Sequence, residues 1–173
     1  FALNNLPEIN GILQDQMKTV FSVGPSIEYQ ERASDSVKYG TIAENPTIEF
    51  TIPSLINHEF APDGKHVLSA TVQYAPYHLR DQVWSSKLNE QLKNNVVRVL
   101  DNYIPDFSSL IETTSVLSPK DLENEFGLTE GNLNHGEMTL DQFFFMRPTM
   151  STAQYKSPIE NLYLCGPGTH PGG

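Results

Sequence analysis

A chain of 173 residues, 38% hydrophobic and 10% aromatic, is long enough to bury a real core, which argues against intrinsic disorder. With 21 acidic against 11 basic residues the net charge is −10, so no basic stripe exists to replace the counterions of a nucleic acid or to sit on an anionic membrane. The single cysteine, Cys165, excludes an internal disulfide framework, and no apolar run approaches the roughly 20 residues of a spanning helix.

The chain opens on Phe1 without a basic or apolar leader and closes on a glycine run, so we expect a fragment of a longer polypeptide. Residues 1 to 36 mix short apolar pieces with Asn, Gly, Pro and Ser, and Ile9 to Phe21 is a candidate for a short helix. Thr47 to Ile52 then alternates strictly, placing Ile48, Phe50 and Ile52 on one face of a half-buried strand that Pro53 ends. Ala61-Pro62-Asp63-Gly64 carries turn chemistry. His66 to Tyr74 alternates again, with Leu68, Ala70, Val72 and Tyr74 on one side, which predicts antiparallel pairing with one covered face.

Trp84, Leu88, Leu92, Val96, Leu100 and Tyr103 recur at helical spacing, a stripe that must face a core, and Pro105 stops that helix. Ser109 to Leu117 reads as a further strand. Ser118 suits a helix N-cap, Pro119 the first helical position and Gly127 the left-handed end, predicting a short helix between them. A polar glycine-containing loop follows from Leu128 to Gly136, then Met138 to Met146, Arg147-Pro148, and an apolar strand from Asn161 to Gly166. The expected class is α+β, a mainly antiparallel or mixed sheet with packed helices.

Among chemically suggestive residues, the five histidines show no i, i+4 pair and no Cys/His cluster, so no metal site is expected. His135 reads as a loop histidine bonded to backbone, with a proton relay as the alternative. Cys165, between apolar neighbours, reads as an inert buried thiol. Phe143-Phe144-Phe145-Met146 suits either a substrate tunnel or core packing. Gly166-x-Gly168 after an apolar strand resembles a phosphate-approaching turn, yet the next glycine, Gly172, comes one place late for the dinucleotide fingerprint. On spacing alone both a structural turn and a ligand loop stay open. No Gly-x-Ser-x-Gly elbow supports hydrolysis.

Longer stretches narrow this. The run Leu162 to Gly173 resembles the closing motif of the phytoene desaturase and carotenoid/retinoid oxidoreductase superfamily. The run Glu125 to Gln142, followed by Arg147-Pro148, together with Ile52-Pro53-Ser54 and Gln73-Tyr74-Ala75-Pro76-Tyr77, resembles the branch named for pyridine nucleotide-disulfide oxidoreductase domain-containing protein 2. The similarity runs from about residue 47 to the end in matching order. It implies the substrate-domain part of an FAD-dependent, two-domain Rossmann-type oxidoreductase, with residues 1–150 on the substrate side and 151–173 as a return strand and the start of a flavin-facing motif.

By that resemblance Gly166, Gly168, Thr169, His170 and Gly172 would be cofactor-side positions, and Asp141, Gln142, Arg147 and Pro148 would line the substrate cavity. Implied partners are an N-terminal FAD-binding domain absent from this chain and an apolar, for instance isoprenoid-like, small molecule; the expected compartment is cytoplasmic, or organellar in a eukaryote. No Gly-x-Gly-x-x-Gly stands after an N-terminal strand here, so the chain by itself is expected to be inactive. The alternative is a non-catalytic binding module that kept the fold, its exposed docking surface serving a partner or an oligomer.

Overall fold

A computed structural model describes residues 1–172, and the last glycine of the closing motif, Gly173, lies outside the described residues. The strands are β1 (Ala2–Leu3), β2 (Phe21–Val23), β3 (Thr47–Thr51), β4 (His66–Val67), β5 (Ser69–Gln73) and β6 (Ile111–Thr113). The α-helices are α1 (Ile27–Tyr39), α2 (Ser86–Leu100), α3 (Phe107–Leu110) and α4 (Pro119–Phe126). The fold is α+β, as the sequence predicts. It divides into two units, Phe1–Leu117 and Ser118–Gly173.

The first unit holds two three-stranded antiparallel sheets, ordered β4-β1-β6 and β2-β3-β5. In the second sheet the predicted alternation is realised: Ile48 and Phe50 are buried while Glu49 between them is exposed. Phe50 pairs with Phe21 on one side and Ala70 on the other, and the two phenylalanine rings stack at 5.0 Å. The strand foreseen over His66–Tyr74 is divided. Val67 pairs with Ala2 in one sheet and Ser69 with Thr51 in the other, and the wholly buried Leu68 sits where the chain changes sheets.

The apolar stripe of α2 buries Leu88, Leu92, Val96, Val99 and Leu100. Its upper half joins Leu3, Ile48, Phe50, Leu68, Ile104 and Phe107 in the main core, and Leu88 and Leu92 form a smaller cluster with Ile42. The helix is shorter than predicted. Ser85 caps it, and it ends at Leu100, whose carbonyl accepts from both Tyr103 and Ile104 N–H groups, before Pro105 can act. The strand expected over Ser109–Leu117 keeps only Ile111–Thr113, because Phe107–Leu110 coils into one helical turn that buries Phe107.

The helix expected within Ile9–Phe21 does not form. Only a 3-10 turn at Gln14–Gln16 appears there, and Phe21 is taken by its ladder with Phe50. A helix stands instead at Ile27–Tyr39, capped by Ser26, whose hydroxyl accepts from Tyr29 N–H at 3.1 Å. It ends at Gly40, left-handed at φ 63°, where an added Cβ would lie 2.7 Å from the backbone nitrogen of Arg80. Ala33 alone among its residues is buried, so it carried almost no apolar periodicity to find.

The second unit begins as foreseen. Ser118 accepts from Asp121 N–H, the Asp121 carboxylate accepts from Ser118 N–H at 2.8 Å, Pro119 opens α4 and Gly127 closes it left-handed. Beyond it lie short 3-10 turns at Thr129–Gly131, Leu140–Gln142 and Phe144–Met146. The apolar strand expected from Asn161 to Gly166 is reduced to one bridge, Lys156 with Tyr163. Scattered bonds take the backbone groups of this stretch instead: Leu164 N–H donates to the Tyr155 carbonyl at 2.8 Å, and the Leu162 carbonyl accepts from Ser157 N–H at 3.2 Å. The buried side chains among the described residues of this unit are Ser118, Arg147 and Thr169, none of them apolar. Among the described residues no helix is long and apolar enough to cross a membrane.

Candidate functional site

The expected site residues lie in the second unit, on two loops. The first is the closing turn. Thr169 folds back on Gly166, its N–H and its Oγ1 both donating to the Gly166 carbonyl, at 3.0 and 2.7 Å. Thr169 is buried by that closure. Gly166 and Gly172 adopt φ values of 104° and 113°, conformations that a side chain strains.

The second loop runs from Asn134 to Arg147 and ends on a buried guanidinium. Arg147 is 3% exposed. Its Nη2 donates to the Asn134 carbonyl at 2.6 Å, and its Nη1 to the carbonyls of Glu137 and Gln142, each at 3.1 Å. The Met138 thioether adds a weak acceptor at 3.4 Å. These partners are main-chain carbonyls and a sulfur rather than carboxylates, so the charge is hydrogen-bonded without being neutralised.

The two loops meet. Phe144 N–H donates to the Pro171 carbonyl at 2.9 Å. A Cβ on Gly172 would stand 3.1 Å from Met138 Cε and 3.6 Å from Arg147 Cδ, and one on Gly168 would stand 3.1 Å from His135 Nδ1. At Gly172 the backbone conformation favours glycine, and at Gly168 a side chain would press on the His135 ring. The His170 ring packs against Phe145 at 5.3 Å and edge-on to Tyr155 at 5.7 Å. Its Nδ1 is buried and has no hydrogen-bond partner among the described residues.

The structure thus brings Gly166, Gly168, Thr169, His170, Gly172 and Arg147 into one cluster, with Gln142 joining through its carbonyl. Asp141 stays local: its carboxylate accepts from Thr139 Oγ1 at 2.6 Å and is exposed. Pro148 is exposed after the cis Arg147–Pro148 bond. Asn134, Glu137, Met138 and Tyr155 were not foreseen. Three of these act through a carbonyl or a thioether, groups that leave no pattern in a sequence.

Two expectations are corrected and a third is narrowed. Cys165 is exposed rather than buried, because the strand that would have enclosed it is not formed. Of the two readings open for Phe143-Phe144-Phe145-Met146, core packing is not realised at Phe144, Phe145 and Met146, exposed to 56, 60 and 42%, while Phe143 is half-buried. The ring of exposed His135 makes no hydrogen bond to backbone among the described residues, although its main-chain N–H donates to the Asn132 carbonyl at 3.1 Å, and the ring lies beside Gly168. Among the described residues no group of three or more His, Cys, Asp or Glu side chains could hold a metal ion.

A flavin ring side fits this donor set better than its ADP half would. The turn offers glycine backbone beside apolar side chains, whereas among the described residues no glycine-rich loop opens a helix that could hold a pyrophosphate.

No family model matches the chain. Pyridine nucleotide-disulfide oxidoreductase domain-containing protein 2 of Rattus norvegicus is 40% identical over 143 residues, covering 82% of this chain and 25% of that protein. The protein of the same name from Mus musculus is 39% identical over the same span. More distantly, 4,4'-diapophytoene desaturase (4,4'-diaponeurosporene-forming) of Staphylococcus aureus strain Newman is 29% identical over 139 residues, covering 77% of this chain and 26% of that enzyme. The chain therefore spans about a quarter of the length of the curated relatives it matches. Identity of 40% sustained across 82% of the residues places this chain in the oxidoreductase family of pyridine nucleotide-disulfide oxidoreductase domain-containing protein 2, with a more distant kinship to diapophytoene desaturase.

Proposed function

We propose that this chain is the substrate-side part of an FAD-dependent oxidoreductase that desaturates or saturates an apolar substrate, isoprenoid-like molecules included. In this reading residues 1–150 belong to the substrate side and 151–173 return toward the cofactor. A dinucleotide-binding domain preceding it in the whole protein supplies the ADP-binding half. The observation that carries the reading is the convergence of the Gly166–Gly172 turn, the His170 ring and the Arg147 loop in one cluster.

When bound, the flavin takes up or returns two electrons, and the protein positions the substrate and excludes water. This chain's own contributions follow from its groups. Thr169 holds the turn closed so that Gly166 and Gly168 permit close approach without a side chain in the way. The imidazole of His170 is steadied by Phe145 and Tyr155, which fixes the ring beside the turn. Exposed Phe144, Phe145 and Met146 offer apolar surface to an apolar ligand.

Purification of the whole protein tests this. It should be yellow, with flavin-type visible absorption and one flavin released per chain on denaturation, while the 173-residue chain alone should be colourless. A folded whole protein without flavin sinks the reading.

A further inference from the structure

We infer that Arg147 is a positioning residue whose buried guanidinium fastens residues 134–142 beneath the Gly166–Gly172 turn, and does not present its charge to a substrate or cofactor. The purpose assigned to the turn rests on the function proposed above; the clamp itself does not.

The geometry is that of a hub. One guanidinium reaches carbonyls 13, 10 and 5 residues before it in the chain, those of Asn134, Glu137 and Gln142. Between Asn134 and Gln142 the backbone has no ladder and only the 3-10 turn that begins at Leu140. Among the described residues no apolar side chain of this unit is buried, so no core supports the loop. A planar fork with several fixed donors can meet carbonyls on two sides at once, while a lysine ammonium is a point charge that cannot span them. At 3% exposure, with its terminal nitrogens engaged, the guanidinium has little surface left for a ligand.

The fastened loop in turn seats the glycine turn. Gly172 rests against Met138 and the Arg147 stem, Gly168 against His135, and Pro171 accepts from Phe144 N–H. Every one of those supports lies between the first carbonyl that Arg147 holds and Arg147 itself. Loss of the fork should therefore release the turn without touching any residue of it.

The test uses the whole protein carrying this chain, with Arg147→Lys, Arg147→Met and Arg147→Ala. Hydrogen exchange should quicken about tenfold or more over 134–142 and 166–172 in all three, with peptides over β3 and α2 unchanged. Ethylguanidinium should restore protection of the turn in Arg147→Ala, and ethylammonium should not. The Lys variant should also shift the visible band of bound flavin and retain flavin about tenfold less well, although its charge is kept. Unchanged exchange in the variants overturns the clamp. A Lys variant that exchanges and holds flavin like the parent also overturns it, because charge alone would then suffice. Should exchange rise everywhere, including β3 and α2, the rescue decides: restoration by ethylguanidinium supports the inference and its failure ends it. A parent protein without flavin removes the proposed function, and exchange with rescue still judges the clamp.

Discussion

At the scale of single residues, Ser54 and His66 tie stability in the first unit to pH. Ser54 is buried, its Oγ accepts from Val67 N–H at 3.1 Å and lies 3.1 Å from His66 Nδ1. A neutral ring lets the hydroxyl donate to Nδ1; a protonated ring reverses that bond and competes with Val67 N–H for the same oxygen. Burial, and to a lesser degree the neighbouring His58, hold the His66 pKa below its ordinary 6.5. The unfolded chain therefore binds a proton at a higher pH than the folded one. Stability is complete above about pH 6.5 and falls as pH drops through the window just below, where only the unfolded state is protonated. Urea unfolding at pH 8 and pH 5.5 should show a lower midpoint in acid for the parent and a smaller difference for His66→Gln. Equal pH sensitivity of the two proteins would remove His66 as the cause.

At the scale of elements, the short helix α4 depends on its cap. It is eight residues long and buries none of them, so intrinsic propensity cannot hold it and the Ser118–Asp121 box must contribute much of its order. Ser118→Ala should cost about 1 kcal/mol, within roughly 0.5–2, read as faster amide exchange over residues 119–126. Ser118→Thr, which keeps a hydroxyl between the Asp121 N–H and the Asp121 carboxylate, should cost less; equal losses would show that the hydroxyl does not matter.

The same helix shows what a sequence can disclose. Cap, first-turn proline and terminal glycine are local instructions, and α4 follows them; so does β3, whose alternation needs no knowledge of its partners. Helix α1 had caps as good, Ser26 and Gly40, but with only Ala33 buried there was no stripe to connect them. The break at Leu68 was invisible for a different reason: which sheet claims Val67 and which Ser69 is settled by Ala2 and Thr51, far away in sequence. The site divides the same way. Its glycine turn is written as a motif, while the hub at Arg147 is built from carbonyls that any residue could supply.

On the scale of the whole molecule, the two units are unlike in what holds them. In Phe1–Leu117, fully buried Phe107, Leu3, Ile48, Leu68, Leu100 and Ile104 each remove enough apolar surface to contribute about 1.5–3 kcal/mol. Among the described residues from Ser118 onward no apolar side chain is buried, and Leu140, Met150 and Tyr163 are exposed to 95, 74 and 66%. The buried hydrogen bonds of Arg147 and Thr169 each contribute on the order of 1 kcal/mol net, and there are few of them to set against that apolar burial. The opening free energy of this segment must then lie well below that of the first unit. Limited proteolysis of the 173-residue chain should cut first between residues 128 and 165 and leave a resistant piece containing β1 to β6 and α1 to α3. If, as proposed, a preceding domain covers these apolar side chains in the whole protein, the same bonds should resist cleavage there. If both units of the isolated chain were digested together, the difference in packing would not govern their stability. Should the second unit resist equally well in the chain and in the whole protein, its exposed Leu140, Met150 and Tyr163 would have no need of a covering domain.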